Sequence, residues 1–435
     1  MIKIKIILIR PPRIYYQESL GLDVGIQRTN LPLGLMYIGA VLQKHDYSVQ
    51  IIDCLISEDT ALRRDGDYIF HGLESSCLIN KIKQTSPDIV GVGIDFTAQA
   101  EPALEAIIQI KRAFPSVKIV VGGCDATVRA TELLKNNEID FIILGEGETS
   151  FLELVQSLED NCSIQDINGI AFRDNGEIKI NPARLIDNID SIPLPAYNLV
   201  DLDLYFKRRS LLKKQWDKVS IEKTLFRFGK KILMRDRWKD MKDITVITSR
   251  GCPFNCTFCS IHLQFGKKFR AHSPEYVIKH LELLVNEYGV EYIHFEDDNI
   301  SLNMKRFERI LDAIIERKLK FRWDIPNGLR ADRLNRKIIQ KMKNAGCEEI
   351  TVGVESGDQN VLDNIIHKAI KLEDIEKTLR ICKEERISTS AFYVIGMPGE
   401  TKENIESTIR LAHDWEKNMV LYRIVVRQHH CLVQN

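Results

Sequence analysis

The stretch "ITVITSRGCPFNCTFCS" (244–260) is a β-branched strand signal that runs into three cysteines spaced C-x-x-x-C-x-x-C, at Cys252, Cys256 and Cys259. A structural zinc site wants four closed ligands, normally as two pairs. A 4Fe–4S cluster held by protein alone also wants four thiolates. Three thiolates on a four-iron cluster leave one iron with an open position, and an open position on a metal is where chemistry happens. The bland readings are three unlinked thiols or a zinc site short of one ligand.

Working outward, strand and helix signals alternate from Ile244 onward. Strands are predicted at 244–249, 290–297, 321–328, 348–356 and 388–397. Between them fall "SPEYVIKHLELLVNEY" with a Ser-Pro start, "MKRFERILDAIIERK", "DRLNRKIIQKMKNAG" with a Gly stop, and "LEDIEKTLRICKEER". Repeated βα units predict a TIM-type (β/α) barrel, complete or partial, with active groups at the carboxyl ends of its strands. The three cysteines follow the first strand there.

The N-terminal half has its own α/β pattern. "IKIILI" (4–9), "SVQIID" (48–53), "DIVGVGI" (88–94), "KIVVGG" (118–123) and "DFIILG" (140–145) are continuous apolar runs, as strands covered on both faces should be. With amphipathic segments such as 102–114 between them, they predict a doubly wound parallel sheet. Ligands of such sheets sit at the strand carboxyl ends, here "GIDFT" (93–97), "GGCDAT" (122–127) and "GEGET" (145–149). A dinucleotide fingerprint is absent, because Gly91 and Gly93 lack the third glycine. Glycines that serve only to turn the chain are the competing reading.

Three regions follow: 1–160, a connector over 161–243, and 244–435. The connector opens with a hairpin signal around Asp174-Asn175-Gly176, and "SIPLP" then forces an extended crossing. Over 203–243 lysine and arginine interleave with Leu, Trp, Phe and Ile at helical spacing. That pattern fits a helical insertion packed on the protein, or a basic helix touching a membrane surface or nucleic acid.

At 435 residues, with 44% hydrophobic and 28% charged residues and zero formal net charge, the chain reads as an ordinary globular protein of two or three domains. Nothing global points to nucleic acid. The apolar runs are strand-sized, so no integral membrane segment is expected. "MIKIKIILIRPP" lacks a signal peptide's cleavage region, which predicts a cytoplasmic protein. Outside the cluster the other seven cysteines, Cys54, Cys77, Cys124, Cys162, Cys347, Cys382 and Cys431, then read as small hydrophobes in a reducing compartment.

Residues 244–400 resemble the radical S-adenosylmethionine (radical SAM) superfamily. Cys252, Cys256 and Cys259 match its cluster motif, with Phe258 in the usual aromatic position. The resemblance implies a 4Fe–4S cluster whose open iron chelates S-adenosylmethionine, which on reduction yields a 5′-deoxyadenosyl radical. It also implies S-adenosylmethionine contacts at the strand ends: Asp297, Asp298 and Asn299 in "FEDDN", standing in for glycine-glycine-glutamate, for the amino group; Arg330 for the carboxylate; Glu355 and Ser356 for the ribose; and Gly396 and Pro398 in "YVIGMPGET" for the adenine. For Asp297 and Arg330 a structural salt bridge is the alternative.

"LPLGLMYIGAVLQKHDYSVQIID" (31–53), "PDIVGVG", "IVVGG" and "GEGETSFLELVQSL" (145–158) resemble the cobalamin-binding domain found upstream of many radical SAM enzymes. The resemblance puts cobalamin contacts at Asp95, Thr97, Gly122, Gly123, Glu146 and Gly147. The D-x-H-x-x-G motif, whose histidine ligates cobalt in many cobalamin proteins, is absent from the chain, and residues 10–31 form a long polar loop instead.

The family further implies a small-molecule substrate and an electron donor such as flavodoxin or ferredoxin. Three chemistries fit: methylation, ring formation or rearrangement, and anaerobic oxidative cyclisation. A methylthiotransferase is disfavoured because the N-terminal half has no second cysteine triplet. A catalytically silent cobalamin or iron–sulfur sensor is the reading of another class. A sixth barrel strand is expected at 419–426, followed by a truncated end in which His429, His430 and Cys431 could mimic a metal site or simply fray.

Overall fold

The computed structural model describes residues 3–16, 30–208, 241–419 and 421–428. Most of the polar loop, most of the basic connector segment and the His429–Cys431 cluster lie outside the described residues. The chain divides into two compact units, Met1–Asp187 with Ser191–Met241, and Asn188–Asp190 with Lys242–Asn435.

The first unit contains β1 (Lys5–Arg10), β2 (Arg13–Tyr16), β3 (Ser48–Asp53), β4 (Ala61–Asp65), β5 (Tyr68–Gly72), β6 (Ile89–Gly93), β7 (Lys118–Gly122), β8 (Phe141–Ile143), β9 (Ile170–Asp174) and β10 (Glu177–Ile180). Seven of them form one sheet in the order β10-β9-β8-β7-β6-β1-β3. The five from β3 to β8 run parallel, and the β9–β10 hairpin adds antiparallel strands at the far edge. The hairpin that the sequence places in the connector is thus part of this sheet.

The strand β1 shows why this segment is a central strand. Ile7 and Ile9 enter one buried apolar cluster with the helices Ser75–Thr85 and Ala100–Ala113, while Ile6 and Leu8 enter a second with the helices Leu33–Lys44 and Gly147–Glu159. Both faces are therefore covered, and each such side chain contributes roughly 1.5–3 kcal/mol on burial. The order β3-β1-β6-β7-β8 reverses between β1 and β6. A doubly wound sheet opens its ligand crevice at such a switch point. The sequence reading missed a separate antiparallel sheet, β2-β5-β4, beside the ends of β1 and β3.

The second unit contains β11 (Asp243–Val246), β12 (Ser249–Arg250), β13 (Arg270–Ala271), β14 (Tyr292–Phe295), β15 (Arg322–Leu329), β16 (Cys347–Glu355), β17 (Ser388–Ile395) and β18 (Leu421–Gln428). Six strands, in the order β11-β14-β15-β16-β17-β18, form an all-parallel curved series of βα units. Among the described residues β11 and β18 do not pair, so the barrel is partial. Three of the helices between the strands start on side-chain caps of one kind: Ser273 accepts from the Tyr276 N–H at 3.1 Å with Pro274 at the first position, Asn303 from Arg306 at 3.1 Å, and Asn335 from Ile338 at 3.0 Å. Each cap is worth about 1 kcal/mol. The first of these helices spans Pro274–Glu282 and continues as a π-helical turn over Leu283–Glu287. Among the described residues no helix is long and apolar enough to cross a membrane.

Candidate functional site

The cysteine loop, 251–259, leaves the carboxyl end of the first barrel strand through β12, which pairs antiparallel with β13 over two residues. Its first residue, Gly251, has φ +80°, and a Cβ there would stand 2.5 Å from the Lys268 carbonyl oxygen. Only glycine turns the chain this close to its neighbour. Cys252, Cys256 and Cys259 are free, half-buried thiols. Asn299 donates from Nδ2 to the Cys252 sulfur at 3.9 Å. Among the described residues no three His, Cys, Asp or Glu side chains are grouped as a single metal ion would need. Three unpaired thiols on one glycine-hinged loop fit a multi-iron cluster. Burial pushes the Cys256 and Cys259 thiols up, and ligation by iron would reverse that by removing the proton outright.

The segment after β14 ties this loop down. Asp298 accepts from the Gly251 N–H at 2.7 Å. Asp297 is fully buried, and its Oδ1 accepts from the Thr248 N–H at 3.0 Å, the Thr248 hydroxyl at 2.8 Å and the Ser249 hydroxyl at 2.5 Å. Its Oδ2 has no hydrogen-bond partner. Burial raises the Asp297 carboxyl, with the Arg306 charge opposing, and burial holds Asp298 at about 6. Arg306 in turn donates to the His272 carbonyl at 2.6 Å and the Thr248 carbonyl at 2.8 Å. Asp297 thus anchors the approach to the cysteines, while Asp298 and Asn299 touch the loop itself.

The remaining expected contacts fall at three more strand ends. Arg330, just past β15, donates to the Lys368 and Ala369 carbonyls at 2.8 Å each and to Asp332 at 3.2 Å, and its guanidinium lies 3.9 Å over the Phe254 ring. Its fork is therefore largely engaged by the protein. Glu355 closes β16 with φ +67° and pairs with Lys368 at 2.5 Å. The buried Ser356 hydroxyl meets the Thr408 hydroxyl at 3.1 Å and accepts from the Asp358 N–H at 3.2 Å. Gly396, with φ +84°, and Pro398 are exposed beyond β17, and Phe258 is half-buried between the second and third cysteines. The sequence reading missed Lys368. It sits in "IHKAI", which carries no motif and no glycine to announce a turn.

In the first unit, residues 95–98 beyond β6 are exposed, and Phe96 is exposed although aromatic. Gln99 shapes this loop by accepting from the Asp95 and Phe96 N–H groups at 3.1 Å each. Gln99 is fully buried, and its Nε2 finds no partner. Thr97 donates to Asp125 at 2.8 Å. Gly122 ends β7, and Gly123 follows with φ +107°, where a Cβ would stand 2.4 Å from the Ile94 carbonyl oxygen. The Glu146 carboxylate is buried and accepts from the Ile186 N–H at 2.7 Å, which makes it an anchor for the chain that follows the hairpin. Gly147 starts the helix packed over the sheet. A loop with an exposed aromatic and an orphaned amide donor, at the end of β6 beside the switch point, fits a large flat ligand rimmed with amide carbonyls, as cobalamin is.

Comparison with known proteins agrees with this layout. The family model described as B12 binding domain matches residues 26–155, and that of the radical SAM superfamily matches residues 246–412. An uncharacterized methyltransferase of Pyrococcus horikoshii is 33% identical over 94% of this chain and 77% of its own length. Cytidylyl-2-hydroxyethylphosphonate methyltransferase of Streptomyces wedmorensis is 27% identical over 92% and 75%. The anaerobic magnesium-protoporphyrin IX monomethyl ester cyclase of Cereibacter sphaeroides is 27% identical over 89% and 57%. Among solved structures, the radical S-adenosylmethionine methyltransferase TsrM of Kitasatospora setae, with cobalamin and a [4Fe-4S] cluster bound, superposes with a TM-score of 0.73 at 18% identity, over 98% of this chain and 75% of that one. The chain belongs to the radical SAM superfamily, as an enzyme of the class that joins a cobalamin-binding domain to the radical SAM domain.

Proposed function

We propose that this enzyme methylates a small molecule, using two molecules of S-adenosylmethionine per turnover. The observation that carries this reading is the conjunction, in one chain, of an open three-thiol loop at a barrel strand end and a flavodoxin-like unit without the D-x-H-x-x-G histidine. The two methyltransferase relatives support it. When bound, the cluster supplies the electron that cleaves S-adenosylmethionine, and cobalamin supplies a methyl carrier.

This chain's own residues bind and orient. Cys252, Cys256 and Cys259 hold three corners of the cluster, and Phe258 shields the last cysteine. Asp298 and Asn299, steadied by Asp297, receive the methionine amino group. Glu355 and Ser356 face the ribose, and Gly396 and Pro398 line the adenine. The bonds Arg330 makes to the Lys368 and Ala369 carbonyls, with its stacking over Phe254, favour a role in fixing the Lys368 loop against the cysteine loop, with the methionine carboxylate as its second role. Asp95, Thr97, Gly122, Gly123, Glu146 and Gly147, together with Gln99, form the cobalamin side. The corresponding domains are 1–160, extended at its sheet edge by the β9–β10 hairpin, and 244–435, with the rest of 161–243 as the connector. The enzyme works in the cytoplasm and draws electrons from a flavodoxin- or ferredoxin-like donor.

The test is product analysis of the reduced, reconstituted enzyme with a turning-over substrate. Methylation should give S-adenosylhomocysteine and 5′-deoxyadenosine in near-equal amounts, and only with cobalamin present. 5′-Deoxyadenosine alone, with cobalamin bound, would move the assignment to cyclisation or rearrangement, the chemistry suggested by the cyclase relative. No cleavage at all would leave a sensor.

A further inference from the structure

Between the helices Gln359–Asn364 and Leu372–Glu384 the chain reads His367-Lys368-Ala369. His367 has φ +56° and Ala369 φ +51°, and neither is glycine. Left-handed conformations cost residues with a Cβ on the order of 1 kcal/mol or more each. They turn the Lys368 side chain inward, where it is 7% exposed. There the ammonium donates to the Gly353 carbonyl at 2.7 Å and to Glu355 Oε1 at 2.5 Å. Glu355 is itself left-handed, so three strained residues meet at one ion pair.

The same loop is stitched to the cysteines. The Thr257 N–H donates to the Ile366 carbonyl at 3.0 Å and its hydroxyl to the Ile365 carbonyl at 2.9 Å. Arg330 holds the Lys368 and Ala369 carbonyls from the other side while covering Phe254. These bonds set the buried ammonium on a loop that is fastened to Thr257, the residue between Cys256 and Phe258. A buried ion pair is an expensive way to hold a loop, since two charges lose their water. The expense points to a use for the charge itself.

We propose that Lys368 is a positioning residue that sets the reduction potential of the cluster: a fixed cation on the loop fastened to Thr257, with Glu355 as its counter-charge. This rests on the cluster reading above. An electron added to the cluster adds negative charge within reach of the ammonium and the carboxylate. Lys368 therefore favours the reduced cluster and Glu355 disfavours it, and both effects are amplified by the low dielectric of a buried site. The loop geometry keeps the ammonium from leaving when the pair is disturbed.

The test uses the full chain, reconstituted anaerobically, as wild type and as Lys368→Met, Lys368→Arg and Glu355→Gln. Iron content, the electron-spin resonance of the reduced cluster and its midpoint potential are measured. Lys368→Met should lower the reduction equilibrium about tenfold, which is 59 mV for a one-electron couple. Lys368→Arg should restore most of it. Glu355→Gln should move the potential upward. Potentials equal to wild type in all variants, or Lys368→Met and Glu355→Gln moving together, would overturn the proposal. Should Lys368→Met lose its iron, Lys368→Arg and Glu355→Gln decide: the first should stay near wild type and the second rise above it. A wild-type chain that takes up no four-iron cluster would instead sink the cluster reading itself.

Discussion

Nδ1 of His294 lies 2.6 Å from Oδ1 of Asp324 on the next strand, and Nε2 of the same ring lies 3.3 Å from Oδ2 of Asp243 on the strand before. One imidazole therefore clasps β11, β14 and β15. Burial disfavours its charge, but the two carboxylates outweigh burial and push the His294 imidazole up to about 9. The folded value stands above the ordinary one near 6.5, so the clasp stabilises fully below that pH and loses its contribution as pH rises through about 9. The shift corresponds to about 3 kcal/mol. Thermal melting of the apo chain followed from neutral to alkaline pH should fall across this window. His294→Gln should melt lower at neutral pH and show a flatter profile. Parallel profiles for the two proteins would show that the clasp does not carry the charge.

The cluster assignment predicts a sharp division among the cysteines. Replacing Cys252, Cys256 and Cys259 together with Ala should abolish uptake of about four irons and the accompanying charge-transfer absorbance. Cys124→Ser and Cys347→Ala should keep both, since Cys124 is half-buried beside β7 and Cys347 is a buried thiol raised by burial at the start of β16. Retained absorbance in the triple variant would reassign the ligands.

Asp297 is the anchor most exposed to substitution, because three donors converge on one of its oxygens. Asp297→Ala leaves those three donors buried without their acceptor, at roughly 1–3 kcal/mol for each unsatisfied group, and removes the carboxylate charge facing Arg306. A fall in melting temperature with weaker iron retention is expected. Asp297→Asn, which keeps one carbonyl oxygen, should recover part of both. An Asp297→Ala protein as stable as wild type would mean that the approach to the cysteines is held elsewhere.

The strands were legible because their burial is written in their composition. "SVQIID" spans β3 to the residue, and the five barrel strands read from 244 to 397 each contain or overlap an observed strand. The β2-β5-β4 sheet was not legible: "ALRRD" and "YIFHG" pair only with each other and with β2, and neither run is apolar enough to announce a strand. The site divided along the same line. Cysteine spacing is a one-dimensional signal, so the cluster loop could be read directly. The grip on that loop is three-dimensional. Lys368 lies more than a hundred residues from the cysteines, on a loop that Thr257 holds and that left-handed residues other than glycine shape. Gln99 reads as one more polar residue at the start of a helix. Its role is visible only once its carbonyl oxygen is seen to be occupied and its amide nitrogen empty.

That empty nitrogen carries the last prediction. Gln99 Oε1 already orders the loop beyond β6 by accepting from Asp95 and Phe96, so the side chain's structural work is done by its oxygen alone. A fully buried amide donor left without a partner costs about 1–3 kcal/mol, which a ligand carbonyl arriving at the strand ends would return. Gln99→Glu keeps an acceptor for both backbone N–H groups and removes the donor. Its cobalamin affinity, measured by spectroscopic titration, should fall tenfold or more, about 1.4 kcal/mol per decade. The melting temperature of the cobalamin-free protein should change much less. Gln99→Leu, which removes the acceptor as well, should lower both. Equal cobalamin affinity in Gln99→Glu and wild type would place the corrin away from this loop.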